Sequence, residues 1–97
     1  MSGQEKYSES VFDTVYGECY FCGHHTDTAR HEVFRGVYRQ KAKRLGYWVN
    51  ICPICHDEAH RFPNDGIDKW LKQKGQIKFE EKHSREDFIK EFGRNYL

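Results

Sequence analysis

Two Cys-x-x-Cys pairs place the strongest constraint on how this chain folds. Cys19 and Cys22 form the first pair, Cys52 and Cys55 form the second, and 29 residues separate them. Zinc in structural sites is bound tetrahedrally by four thiolates, and each pair supplies two thiolates from one tight turn. The spacing therefore predicts a structural Zn²⁺ site with no coordination position open for chemistry. His24 and His25 directly follow the first pair and are alternative ligands.

A chain of 97 residues with only 20 Leu, Ile, Val and Phe has a thin core. Small domains of this kind usually need a metal, disulfides or a partner for stability. No apolar run is long enough to cross a membrane and the N-terminus is polar, so we expect a cytoplasmic protein without a membrane partner. Reduced thiols bind metal there more often than they form disulfides. A thiol oxidoreductase is a weak alternative because no βαβ pattern accompanies the cysteines.

The pattern of apolar residues predicts an α+β fold in three parts. Residues 1–18 are expected to be an N-terminal tail with a short lead-in strand. Residues 19–62 form a zinc-bound core, and residues 63–97 form a helical extension packed on it.

Within the core, β-rich composition predicts one strand in residues 28–38 and a second in residues 46–51. The basic segment 39–46 is expected to be the connection at the tip of this hairpin. Pro53 suits the first turn of a helix that continues to about Arg61.

Two helices are predicted in the extension. The first carries Trp70 on an apolar stripe. Ser84 is a candidate N-cap for the last helix, which is expected to bury Phe88, Ile89 and Phe92.

Three histidines are expected to converge inside this frame. His56 and His60 are four residues apart and so share one face of the predicted helix. His31 lies on the first strand, which the hairpin tethers to that helix. Two ligands from a helix and one from a strand suit a second divalent ion with open positions for phosphate and water.

At these residues the chain resembles the HNH, or ββα-metal, endonuclease superfamily, and in particular small phage-type HNH proteins with a four-cysteine zinc site. The resemblance covers about residues 19–60. It rests on the cysteine pairs, His-Glu-Val-Phe-Arg-Gly at 31–36, the basic segment 39–44 and Cys-Pro-Ile-Cys-His at 52–56, followed by His60. It implies a zinc-stabilised, treble-clef-like ββα-metal unit with two C-terminal helices.

The resemblance implies a metal-dependent endonuclease that hydrolyses DNA phosphodiester bonds. In that superfamily a metal ligand is followed by a general-base His, but Glu32 stands at the second place here. Either His31 is a metal ligand and Glu32 the general base, or these two roles are reversed. In both cases His56 and His60 are expected to bind the ion, which is Mg²⁺, Mn²⁺, Ni²⁺ or Zn²⁺. Tyr47 replaces the middle Asn of the family.

A basic middle segment is the candidate contact with DNA. Residues 31–62 hold six basic and three acidic residues, although the formal net charge of the chain is only +1. The candidate phosphate-binding residues are Arg35, Arg39, Lys41, Lys43 and Arg44.

The resemblance also implies DNA processing by a phage or prophage in a bacterial host, with a packaging or recombination protein as a further partner. The alternative is a non-catalytic zinc-finger module that binds nucleic acid or a partner protein. Glu32 and Tyr47 favour that alternative, whereas three convergent histidines disfavour it. The oligomeric state stays open.

Overall fold

A two-stranded sheet and four α-helices make up the regular structure of residues 7–97, the part of the chain that this computed structural model describes. The predicted α+β class is confirmed. The elements are β1 (Ala29–Glu32), α1 (Arg39–Leu45), β2 (Trp48–Ile51), α2 (Pro53–Arg61), α3 (Gly66–Glu80) and α4 (Arg85–Phe92). None of the helices in this range is both long and apolar enough to cross a lipid bilayer.

The segment before the first cysteine pair contains no regular strand between residues 7 and 18, where a short lead-in strand was expected. An isolated bridge joins Glu18 to His25 instead. The start of the predicted tail, residues 1–6, lies outside the described residues.

Strands β1 and β2 pair antiparallel, as predicted, with His31 opposite Val49. The first strand ends at Glu32 and is therefore shorter than expected. Val33 and Phe34, the next two residues, are both buried. The chain leaves the sheet there and makes a 3-10 turn at Gly36–Tyr38.

The basic connection is helix α1, and the prediction of a hairpin turn at residues 39–46 is wrong. The sequence of α1, Arg-Gln-Lys-Ala-Lys-Arg-Leu, consists of strong helix formers. Gly46 adopts the left-handed conformation at φ +86° and ends the helix. Ala42 packs into the core from this helix.

Helix α2 begins and ends where the sequence predicts. Cys52 is its N-cap, Pro53 occupies the first turn, and Arg61 is its last residue. Because β2 ends at Ile51, the N-cap joins strand and helix with no intervening loop.

Helices α3 and α4 pack together around an aromatic core. The Phe34 ring stacks on Phe92 with centroids 4.2 Å apart, and both are buried beside Phe88. Ile89 is 39% exposed, so the prediction that α4 buries it is wrong. Phe88 and Phe92 are four residues apart and share one face, whereas Ile89 is turned about 100° away from Phe88. Trp70 is partly buried against the core, as expected.

Candidate metal centres and the adjoining cleft

The two cysteine pairs meet at one point, and their four sulfur atoms lie within 4.8 Å of one another. The Cys22 and Cys52 sulfurs are 3.9 Å apart. Zn–S bonds of about 2.3 Å in a tetrahedron place the sulfurs about 3.8 Å apart, so this spacing fits zinc. We call Cys19, Cys22, Cys52 and Cys55 the thiol quartet; Cys22 alone of the four is exposed.

Each pair forms a similar tight turn. The Cys22 N–H donates to the Cys19 sulfur at 3.4 Å, and the Cys55 N–H donates to the Cys52 sulfur at 3.5 Å. Gly23, at φ +79°, closes the first turn by donating to the Cys19 carbonyl at 2.9 Å. Such turns aim backbone N–H groups at sulfur and so favour the thiolate.

The pKa values in the thiol quartet indicate that a cation is needed to keep all four thiols ionised. Burial raises the pKa of the Cys19 thiol, but the N–H groups of Cys22 and Cys52 outweigh burial and lower it to about 6. Burial and the neighbouring thiols raise the pKa of Cys55 well above its usual range. Four thiolates therefore coexist here only with a compensating charge, which a metal ion such as Zn²⁺ would supply. Among the described residues, neither His24 nor His25 belongs to a group of ligand atoms close enough to share an ion.

A second cluster lies between β1 and the face of α2. The ring nitrogens of His31, His56 and His60, the histidine trio, also fall within 4.8 Å of one another. The His31 ring centroid is 5.3 Å from that of His56 and 5.4 Å from that of His60. The Nε2 atoms of His56 and His60 are 3.0 Å apart. The predicted convergence is therefore present, and the trio could hold a metal ion.

His31 is the most unusual member of the trio because it is 1% exposed and neither ring nitrogen has a hydrogen-bond partner. Burial lowers its pKa to about 3, and the adjacent His56 and Arg35 act in the same direction. The ring is therefore neutral at physiological pH. A neutral imidazole with an unused lone pair is the form that binds a divalent ion.

Arg35 contacts both His60 of the trio and the buried carboxylate of Asp68 on α3. One guanidinium nitrogen lies 2.5 Å from His60 Nδ1, and another donates to Asp68 at 3.3 Å. Asp68 is fully buried and also accepts from the Asn64 N–H at 2.6 Å and the Lys72 ammonium at 2.9 Å. Asp68 was not predicted as a site residue. Its one signal was a charged residue three positions before Leu71, on the buried side of the helix.

An open cleft of about 460 Å³ adjoins the trio. We call it the histidine cleft. It has three arginines and a carboxylate in its wall, and is lined by Tyr7, Arg30, Glu32, Arg35, Arg39, His56 and His60. Tyr7 and Arg30 were not predicted as site residues, because their place here depends on contacts between distant parts of the chain.

Glu32 faces this cleft but stands outside the trio's ligand group. Its carboxylate accepts hydrogen bonds from the Tyr7 hydroxyl and from Arg39, the latter at 3.1 Å. Burial raises the pKa of Glu32, but these two hydrogen bonds outweigh burial and lower it. Glu32 is therefore an ionised and weakly basic group.

The structure brings only part of the predicted basic set to the cleft. Arg35 and Arg39 line it. Lys41 instead pairs with Glu91 at 2.9 Å, Lys43 is buried near the Tyr7 ring, and Arg44 is exposed on α1 away from the cleft. The physical reason is the helix: α1 distributes these side chains around its axis, whereas a hairpin tip would have grouped them.

Tyr47, at the place of the family's middle Asn, turns into the core. It is 7% exposed and packs between the rings of Phe12, Phe34 and Phe92. Asn50, three residues further along and on β2, lies outside the residues that line the histidine cleft.

The chain matches no protein-family model, no curated protein and no solved structure with which it was compared. What defines the site is its own geometry. A thiol quartet with the spacing of a zinc site lies at the start of α2. A histidine trio lies beside an arginine-lined cleft, with His31 on β1 and the other two histidines one and two turns along α2 from Cys52.

Proposed function

We propose that the chain is a metal-dependent endonuclease of the HNH type, which hydrolyses DNA phosphodiester bonds. The observation that carries this proposal is His31, a buried imidazole that faces His56 and His60 with neither nitrogen partnered. Leaving buried polar atoms unpaired costs free energy, so such a group points to a ligand. The resemblance adds DNA as the partner and phage or prophage DNA processing in a bacterial cell as the setting.

In this proposal the thiol quartet binds zinc and is structural. The histidine trio would hold a second divalent ion, which would supply Lewis-acid stabilisation of the phosphate and a more acidic water. Arg35 lines the same cleft, and the N–H groups that it does not direct at His60 and Asp68 would donate to non-bridging phosphate oxygens. Asp68, behind Arg35, fixes its position.

The positions of the two side chains support His31 as a metal ligand and Glu32 as the general base. His31 lies with the helix histidines and takes the role of a ligand. Glu32 lies in the wall of the cleft and would accept the proton of the attacking water. Because Tyr7 and Arg39 lower the pKa of Glu32, it is a weak base, and we expect slow turnover.

The second candidate is a non-catalytic zinc-finger module that binds nucleic acid or a partner protein. Two observations favour it: Tyr47 occupies the core where the family has an orienting Asn, and the Glu32 carboxylate is already engaged by two donors. In this alternative the arginines of the cleft bind phosphate without hydrolysis.

Nicking of supercoiled plasmid by the zinc-loaded protein, with Mg²⁺, Mn²⁺ or Ni²⁺ added, separates the two candidates. We expect metal-dependent nicking by the wild type and a loss of at least about 100-fold in a His31→Ala, His56→Ala double variant. His24→Ala is the matched control, since His24 is exposed and lies outside the trio. If the folded wild type and both variants bind plasmid and none of them nicks it, the non-catalytic module is favoured.

A further inference from the structure

A second cleft of about 390 Å³ lies beside the histidine cleft. We call it the flanking cleft. Its wall mixes polar and apolar surface, with three hydroxyl groups, one amide and one indole, and it is lined by Thr14, Tyr16, Thr28, Arg30, Trp48 and Asn50. Arg30 lines both clefts, so its guanidinium marks the boundary between them. Arg30 and Glu32 are two residues apart on β1 and so point to the same face of the sheet.

Two aromatic rings hold Arg30 in place at this boundary. Its guanidinium carbon is 4.6 Å from the Tyr7 ring centroid and 4.8 Å from the Trp48 ring centroid. The two rings also contact each other edge to face, with centroids 5.5 Å apart. Cation–π contacts on two sides restrict the side chain while leaving its N–H groups at the edge of the guanidinium plane free to donate.

Arg30 differs from the other two arginines of the histidine cleft in its partners. Arg35 is paired with Asp68, and Arg39 is paired with Glu32. Within residues 7–97, the side chain of Arg30 makes no hydrogen bond and no ion pair; its contacts are the two rings. The rings restrict the Arg30 guanidinium, and its N–H groups lie in one plane without hydrogen-bond partners in that range. Such a group is suited to bidentate binding of phosphate.

We propose that Arg30 binds the phosphate next to the reacting one on the same nucleic-acid strand, and that the flanking cleft receives the nucleotide attached to it. This inference rests on the proposed function, which places the reacting phosphate in the histidine cleft. Because Arg30 lies where that cleft meets the flanking cleft, an anion it binds adjoins the reacting phosphate. The Tyr16 hydroxyl and the Asn50 amide border the space for sugar and base. The ligand class is therefore a continuing polynucleotide strand, not a mononucleotide or a terminal phosphate.

Binding of a short fluorescein-labelled single-stranded oligodeoxynucleotide, followed by anisotropy without added divalent ions, tests this assignment. The variants are Arg30→Ala and Arg30→Lys, with Arg61→Ala as the control, since Arg61 is exposed on α2 and outside both clefts. We expect Arg30→Ala to weaken binding about 10-fold and to reduce the slope of log K against log salt by about 0.7, the value of one phosphate contact. Arg30→Lys keeps the charge but loses the planar donors, so its affinity should lie between those of the wild type and Arg30→Ala.

The outcomes separate this inference from the nuclease proposal. If binding depends on Arg30, the flanking phosphate contact is supported, whether or not the wild type nicks plasmid. If the wild type binds in this way but does not nick plasmid, only the nuclease proposal fails. If the wild type nicks plasmid but both Arg30 variants bind like Arg61→Ala, the flanking contact is overturned and the nuclease proposal stands. A wild type that binds no oligonucleotide overturns the flanking contact. Because Arg30 is exposed, circular dichroism is expected to show both variants folded.

Discussion

The Arg35 guanidinium lies 3.3 Å from the carboxylate of Asp68, and that carboxylate is completely buried in α3. The ion pair joins the segment after β1, which faces the histidine cleft, to a helix of the C-terminal extension. The extension therefore does more than cover the core, because it carries the counter-charge that holds an arginine of the site in place.

The first prediction concerns this ion pair. Asp68→Asn leaves Arg35 and the nearly buried Lys72 ammonium without a counter-charge, so we expect the free energy of unfolding to fall by about 3 kcal/mol. Urea denaturation at fixed zinc concentration measures the change, since bound metal contributes to stability. Asp57→Asn is the control, because its pair with Arg61 is exposed on both sides. Equal stability of the two variants would show that the buried network is not needed.

Zinc at the thiol quartet gives the second prediction. Cys19→Ser combined with Cys52→Ser removes one ligand from each pair, so we expect the purified protein to lose its tightly bound zinc and much of its helical signal. Elemental analysis and circular dichroism measure the two losses. An unchanged ratio of zinc to protein in this double variant would rule out the quartet as the zinc site.

The third prediction follows from the lowered pKa of His31. The folded chain keeps this imidazole neutral down to about pH 3, whereas the unfolded chain protonates it near 6.5. Between these values the unfolded state binds more protons at residue 31, so stability falls as pH falls and is fully restored above about 6.5. From about pH 7 to about pH 5.5 the loss attributable to His31 is about 1.2 kcal/mol.

Urea denaturation of wild type and His31→Gln at those two pH values isolates this contribution. With one equivalent of zinc and no other divalent ion, the wild type is expected to lose more stability on acidification than the variant does. Equal losses would mean that His31 is protonated in the folded protein as readily as in the unfolded chain.

Gly75 on α3 gives the fourth prediction. Replacing Gly by Ala in a helix normally stabilises it by about 1 kcal/mol. Here a Cβ atom would lie 2.8 Å from Cζ and 2.9 Å from Cε2 of Phe34, so we expect Gly75→Ala to destabilise the protein by about 1–2 kcal/mol. In a Phe34→Leu background the ring is absent and the same substitution should cost less. Additive effects in the double variant would show that the two residues do not conflict.

The histidine trio could be predicted because it depends on short-range geometry. His56 and His60 share a helix face whenever that helix forms, and the thiol quartet fixes where α2 starts relative to β1. His31 then needs only the antiparallel pairing, which the β-rich composition indicated.

Helix α1 was missed although its sequence carried the signal. Its seven residues have high helix propensity and Gly46 marks its end, but the expectation of a tight hairpin outweighed both. This helix matters for function, because it leaves Lys41 and Lys43 out of the residues that line the cleft.

Arg30, Asp68 and Tyr7 could not have been placed from the sequence. Each belongs to the site through partners at least 18 positions away: Trp48 for Arg30, Arg35 for Asp68 and Glu32 for Tyr7. No local pattern encodes such pairs. Their detection requires the packed chain.

Cys52 directly follows the last residue of β2 and caps α2, and this position limits how the segment can change in evolution. An α-helix turns about 100° per residue, so one residue inserted or deleted between Cys52 and His56 would rotate both α2 histidines away from His31. Substitutions on the exposed face of α2 leave this angle unchanged. Among functional descendants of this chain, we therefore expect the segment from Cys52 to His60 to keep its length and its cysteine and histidine positions, while its exposed positions vary.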